Sequence, residues 1–429
     1  MSTFSLLFDG IRNGFFVLIS YWWIYLPLFL FLGVLAVWKN YITTKYVLGL
    51  KWVLLDVKPP PEVFQSPKIA ENFFSGLHAV YSKPVKEKKA FFEGKLQDWY
   101  TFEIMSHQGD VHFYIRCLET NRNLIESQLF AQYPDAEIEL ADDYTQQLPK
   151  ILPDQEHDVF GAELVFTKPN VYPLKTYPFF EEEGAKDQYR HIDPLAPLAE
   201  AMSALGPGEF MWLQYVVRPT GDAWTKESEA EIDKIKGKKP KATSPNVLSS
   251  LLDVISNLIP GMPADEPKKE DEKEFSIQKL TSGQKFILDQ VEAKIAKLAF
   301  KVTPRFMYIA KKDVFNRGRT TAVIGMFKQM YSNNLNTFKP NPKTATFTAD
   351  GWFKWLFPSD KGFLAEQEEL ERKMDMYKHY RERDFKEVVI LNTEEMATLY
   401  HLPGTNVQAP FFPRVQAKKG QPPTGLPMK

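Results

Sequence analysis

His107 and His112 stand five residues apart, and Cys117, the only cysteine, follows five residues later. Imidazole and thiolate are zinc ligands, but a structural site takes four of them and a catalytic site three. The other histidines, at 78, 157, 191, 379 and 401, add no pair at the four-residue spacing of one helix face. Each histidine reads as a structural or surface residue, and no metal or other cofactor is expected. Phosphate chemistry would need a glycine-rich loop ending in Gly-Lys-Ser/Thr, so that backbone N–H groups and a lysine converge. "GRTTAVIG", Gly318 to Gly325, has the glycines but lacks the lysine and hydroxyl at those places, and reads as a turn before a helix. Asp142-Asp143 and the run Glu181, Glu182, Glu183 read as solvated loops. No Gly-x-Ser-x-Gly elbow occurs. A Ser/His/Asp triad assembles in space, so a membrane-tethered hydrolase stays open as an alternative without positive signal. The chain reads as a non-enzyme.

Binding chemistry has more candidates. Lys83, Lys86, Lys88, Lys89 and Lys95 cluster around Phe91 and Phe92. Lysines interleaved with aromatics can hold a single nucleic-acid strand, and basic residues near a bilayer can meet anionic lipid. Lys86, Lys88 and Lys89 are the candidate contacts in either case, although Glu87 and Glu93 dilute the charge. Arg305, Lys311, Lys312, Arg317 and Arg319 form a second basic group. Overall, 53 basic and 54 acidic residues leave a net charge of −1, so no global field draws the chain to nucleic acid.

These residues hang on an anchored body. Phe15 to Trp38 is 24 residues without a charge, and a spanning helix needs about 20. The run is too long for a signal-peptide core and has no small-residue cleavage site, while its Trp and Tyr suit membrane interfaces. Lys39, Lys45 and Lys51 follow the run and only Arg12 precedes it. The positive-inside rule then places the N-terminus outside and the bulk in the cytoplasm, at the inner membrane. A lone cysteine fits that compartment, since no disulfide can form within the chain.

Beyond an anchor at 1–50, the expected fold class is α+β: a single transmembrane helix followed by repeated ferredoxin-like α/β sandwich units. A first unit at 51–150 opens with "WVLLDV", which reads as a strand leading out of the membrane, and continues as helix, strand, strand, helix, strand, with "HQGD" turning between "WYTFEIMS" and "VHFYIRCL". A second, at 151–224, contains "VFGAELVFTK", a helix opened by Asp193 and Pro194, and "GEFMWLQYVVRP". A polar linker at 225–275 holds an amphipathic helix at 246–259, which docks either on this chain or on another subunit. A third unit at 276–404 contains "FKVTPRFMYIA", where Pro304 suggests an edge strand or a bulge. It also carries a charged helix with Leu370, Met374 and Tyr377 on one side. A Pro-rich basic tail fills 405–429.

Near the end, "ILNTEEMATLYHLPG" reads as strand, capped helix and exit. Asn392 or Thr393 is the cap, and Met396, Leu399 and Tyr400 give the helix an apolar face. Together with "ENFFSGLHAVYS", "HFYIRCLETNRNLIESQLFAQYPDAEIE", "FMYIAKKDVF", "NNLNTFKP" and "QPPTGLP", this element resembles the membrane-anchored, non-ATPase N-terminal region of type IV secretion or conjugation-type ATPases. In such HerA/FtsK-class chains the "LNTEE…LYHLP" element precedes the motor, and here the motor is missing. The resemblance implies a scaffold that docks a P-loop translocase ATPase supplied in trans. Met396, Leu399, Tyr400, Phe411, Phe412 and Arg414 are the expected partner contacts. The bilayer and a homo-oligomer are further expected partners, nucleic acid is the alternative, and no small-molecule substrate is expected.

Overall fold

The computed structural model of the protein describes residues 20–60, 66–81, 92–180, 193–235, 280–346, 363–385 and 388–403. The helix read at 246–259, the lysines at 83–89 and the tail at 405–429 lie outside the described residues. The chain divides into two compact units, one made of Met1–Trp52 and Tyr81–Asp98, the other of Val53–Val80 and Trp99–Lys429.

The smaller unit is built on helix α1 (Trp22–Leu48), with Pro27 inside it. Its segment Leu26–Leu48 is long and apolar enough to cross a membrane, and 6% of that stretch is buried. Leu28, Phe29, Leu30, Phe31 and Val34 are exposed. A face this apolar is costly to leave in water.

In the larger unit the elements run β1 (Trp52–Lys58), α2 (Lys68–Leu77), β2 (Tyr100–His107), β3 (Asp110–Leu118), α3 (Arg122–Gln132), β4 (Glu137–Ala141), β5 (His157–Phe166), α4 (Ala196–Ser203) and β6 (Glu209–Thr220). Then follow α5 (Thr225–Ile235), α6 (Ser282–Ile295), β7 (Ala299–Lys311), α7 (Thr321–Gln329), β8 (Phe338–Pro340), α8 (Phe363–Glu382), β9 (Val389–Asn392) and α9 (Thr393–Leu399). The fold is α+β, and nine strands form one sheet in the order β4-β1-β3-β2-β6-β7-β5-β8, with β9 paired to β7.

That order is two ferredoxin-like arrangements placed edge to edge. β1-α2-β2-β3-α3-β4 gives the neighbour order 4-1-3-2, and β5-α4-β6-β7-α7-β8 gives it again, in mirror sequence along the sheet. The strands read as a second and a third unit are therefore halves of one repeat, split by α5, the linker and α6. Strand periodicity cannot reveal this, because the pairing of β6 with β7 crosses the linker. The two repeats meet where β2 and β6 pair antiparallel, Tyr100 with Val217 through His107 with Phe210. The β2–β3 hairpin turns on Gln108 and Gly109, both at positive φ (55° and 96°), as a two-residue turn of matching twist requires.

Pro304 is neither at an edge nor in a bulge, which corrects the expectation above. β7 lies between β6 on one side and β5 and β9 on the other. Its pairing with β5 ends at Arg305 and its pairing with β9 begins at Val302. The proline falls in that gap.

Both faces of the sheet are covered. α2, α3, α4, α7 and α9 pack one face through Phe73, Phe74, Leu129, Met202, Met326 and Leu399. On the other face α8 lies over Trp212, Met307 and Ile309 through Met376, Tyr377 and Tyr380. The expected apolar side of α8 is only partly right: Tyr377 is buried, but Leu370 and Met374 are exposed and Lys373 is buried.

Candidate functional site

Under α8 the sheet carries a transverse row of polar side chains. Glu103 of β2 stands opposite Gln214 of β6, Gln214 opposite Arg305 of β7, and Arg305 opposite Glu163 of β5. All four residues are completely buried. Burying such charges costs several kcal/mol each unless every one is paired and hydrogen-bonded. Arg383, which follows α8 at a positive φ of 52°, supplies the main partner. Its Nε donates to Glu103 Oε1 at 2.7 Å and its Nη2 to Glu103 Oε2 at 3.2 Å. The same guanidinium donates to both oxygens of Asp143, at 2.8 and 3.0 Å. Tyr144 donates to Glu103 Oε2 at 2.7 Å, and Gln214 Nε2 to Glu103 Oε1 at 2.9 Å.

Arg305 closes the other half. It donates to Glu163 at 3.1 Å, to the Asp384 carbonyl at 2.7 Å and to the His379 carbonyl. Burial would push the Asp143 carboxyl up, but hydrogen bonds from Arg383 and Thr145 outweigh it and hold it below the ordinary carboxylate value. Burial lowers Arg383, and Glu103 and Asp143 more than reverse this, keeping it charged. The phenols of Tyr144 and Tyr380 are pushed far up by burial, so both stay protonated donors. The seam is thus a clamp fastening the end of α8 across four strands. It has the donors and acceptors of an active site, and most of them bond one another. His379, Glu382 and Asp384 bring ligand atoms within 4.8 Å of one another, but the Arg305 guanidinium at 3.3 Å from Asp384 opposes a cation there.

A second buried network fixes the β9–α9 element. Asn392 caps α9 and Glu395 completes the reciprocal capping box. Lys294 of α6 donates to Glu395 at 3.1 Å and to the Ile390 carbonyl at 3.0 Å, with both charged side chains wholly buried. Burial moves the two toward neutrality, lowering Lys294 and raising Glu395, with their mutual attraction opposing it. Beside them Lys297 bridges Glu71, at 2.8 Å, and Glu394.

This placement corrects part of the expected docking surface. Met396 and Leu399 are 0% exposed and Tyr400 is 3% exposed. They face the body: Tyr400 packs on Phe102 at 5.0 Å and on Phe113 at 5.8 Å. The apolar face of α9 is spent on the core. Phe411, Phe412 and Arg414, and the lysines at 86, 88 and 89, lie outside the described residues. The second basic group is dispersed as well. Arg305 is buried, Arg319 pairs with Glu209 at 3.2 Å, and Arg317 lies 3.6 Å from Glu369. His107 and His112 do not gather with Cys117 either. Cys117 is buried, and His112 bonds Asp56 at 2.9 Å and Asp110 at 3.2 Å.

The residues that sequence reasoning missed are Glu103, Glu163 and Arg383 in the seam, and Lys294 and Glu395 in the second network; Arg305 enters the sequence reading only as a member of a basic group. Their signal is a single charged residue at the centre of an apolar strand, as in "TFEIM", "GAELV" and "TPRFM". Comparison with curated proteins finds no match. Residues 47–412 match the family model described as a domain of unknown function, DUF8128. That match spans most of the chain, which therefore belongs to the DUF8128 family.

Proposed function

We propose that the chain is a non-enzymatic, membrane-anchored subunit. It docks a separate translocase ATPase at the cytoplasmic side of the inner membrane, in a type IV secretion-like or DNA-transfer machine. The observation that carries the reading is α1, an exposed apolar helix of spanning length joined to a large folded body. The body supports it: the polar groups most like a catalytic constellation, in the seam, are for the most part engaged by their own neighbours. The cavity between α2, α3 and the residues after α9 is only 10 Å³, room for about one water. The nature of the partner comes from the resemblance of the ordered segments to ATPase N-terminal regions. With Met396, Leu399 and Tyr400 in the core, docking falls to the Pro-rich stretch that follows, with Phe411, Phe412 and Arg414. Prolines stiffen such a segment and lower the entropic cost of laying it along a partner.

The test is a detergent pull-down of the full chain beside one ending at residue 403, with bound proteins identified by mass spectrometry. Ending at 403 keeps the buried α9 and its capping box. Capture of a P-loop ATPase by the full chain alone is the expected outcome. Capture of no ATPase by either removes the docking role.

A further inference from the structure

A cavity of 470 Å³ opens beside the C-terminal half of α1, lined by Trp38, Tyr41, Ile42, Lys45, Phe92 and Glu93 among others. The four helical residues recur at i, i+3, i+4 and i+7, which places them on one face. The opposite wall comes from the segment after Phe92, held against the helix by Gly94. That glycine has φ of 65°, and a Cβ on it would lie 2.4 Å from the Ile42 carbonyl oxygen. The close approach leaves Ile42 8% exposed, on a helix whose other apolar side chains are mostly open, and Phe92 67% exposed at the rim. The cavity is therefore built by a specific backbone contact.

Its position and chemistry agree. Trp38 ends the uncharged run and Lys39 follows it; with Phe15–Trp38 taken as the hydrocarbon-spanning part of an apolar stretch that continues to Leu48, the cavity starts where hydrocarbon gives way to headgroups. Lys45 lies about 10 Å further along the axis at 1.5 Å per residue. The headgroup layer is about 5–8 Å thick, and a lysine side chain reaches back toward it. The walls are aromatic, as membrane interfaces favour. Lys45 and Glu93 bring one charge of each sign, with no ion pair joining them among the described residues.

We propose that this cavity binds the headgroup of a zwitterionic aminophospholipid. The lipid phosphate accepts from Lys45, its ammonium donates to Glu93, and the glycerol and upper acyl chains lie on Trp38, Tyr41 and Phe92. An anionic headgroup would satisfy Lys45 and leave Glu93 facing negative charge. The proposal rests on the reading of α1 as a membrane span. The test is native mass spectrometry of the full chain released from mixed micelles of phosphatidylethanolamine and phosphatidylglycerol, run beside alkaline carbonate extraction of the membrane-bound chain. Retention of phosphatidylethanolamine over phosphatidylglycerol by about tenfold is expected, the worth of one charge-assisted hydrogen bond. Glu93→Gln erases that preference, Lys45→Gln lowers retention of both lipids, and Gly94→Ala lowers it by forcing the wall off the helix. Equal retention of the two lipids, or a preference unchanged in Glu93→Gln, overturns the site while leaving the anchor intact. Release of the chain by carbonate overturns the anchor, and the site with it.

Discussion

Replacing Arg383 with methionine keeps an unbranched stem under α8 and removes the guanidinium. Five hydrogen bonds go with it, two to Glu103, two to Asp143 and a long one to the Arg381 carbonyl. Removing one partner of a buried ion pair costs about 3–5 kcal/mol, because the other charge is left in a low-dielectric interior. Glu103 still accepts from Tyr144 and Gln214, and Asp143 is partly exposed. The loss therefore sits near the lower end, about 3 kcal/mol. For a unit of this size that is a fall in Tm of roughly 4 °C. Thermal unfolding of the full chain in detergent, followed by tryptophan fluorescence, reads it. Trp212 lies 5.1 Å from the rings of both Tyr144 and Tyr380, so its emission reports on the seam. Combining Arg383→Met with Glu103→Gln removes the orphaned charge, and the double variant recovers about 1–3 kcal/mol relative to the sum of the single losses. An unchanged Tm in Arg383→Met, or strict additivity in the pair, refutes the clamp.

Acid acts on the same contacts. Asp143 and Glu71 both lie below their ordinary values of 3.8 and 4.5, since ion pairs and hydrogen bonds outweigh burial. Their stabilisation is present above about pH 4.5 and is lost as pH falls through the folded values. A Tm that stays level into that range counts against both networks. His112 runs the other way: burial opposes its charge, but Asp56 and Asp110 raise it above its ordinary 6.5. Its contribution is full below 6.5 and lost as pH rises through the folded value. An alkaline decline in Tm that disappears in His112→Gln is the expected record, and an identical decline in the variant refutes it. Lys294→Met strands the buried Glu395 and costs about 3–5 kcal/mol. Glu395→Gln keeps a capping acceptor and costs less, so equal losses in denaturant melts would remove the asymmetry.

Local elements were legible in the sequence because their signals are local. The β2–β3 hairpin follows from two β-rich runs around Gln108-Gly109, and the start of α9 from a capping residue at Asn392 or Thr393, of which the structure selects Asn392. Most of the first repeat was legible, since its elements are consecutive; β1 read only as a lead out of the membrane, and its place between β4 and β3 comes from the pairing. The second was not, because α5, the linker and α6 stand between its halves, and strand patterns carry no record of partners. Its seam hid for a related reason. Glu103, Gln214, Arg305 and Glu163 sit on four strands, and only the register lines them up. The face of α8 was misread because the surface it covers is partly polar, so the buried side of the helix includes Lys373 and hydrophobic periodicity lost its meaning.

The β2–β6 pairing also bears on synthesis. β6 ends at Thr220, and its other neighbour, β7, begins at Ala299. A ribosome adding 5–20 residues per second takes roughly 4–16 s to cross the intervening stretch of about 80 residues. During that interval β6 would be a long apolar strand with both edges open, the form most prone to aggregate. The finished first repeat offers it β2 as a template, leaving one edge to wait. The split of the second repeat is then tolerable because the first precedes it along the chain and is complete when β6 emerges.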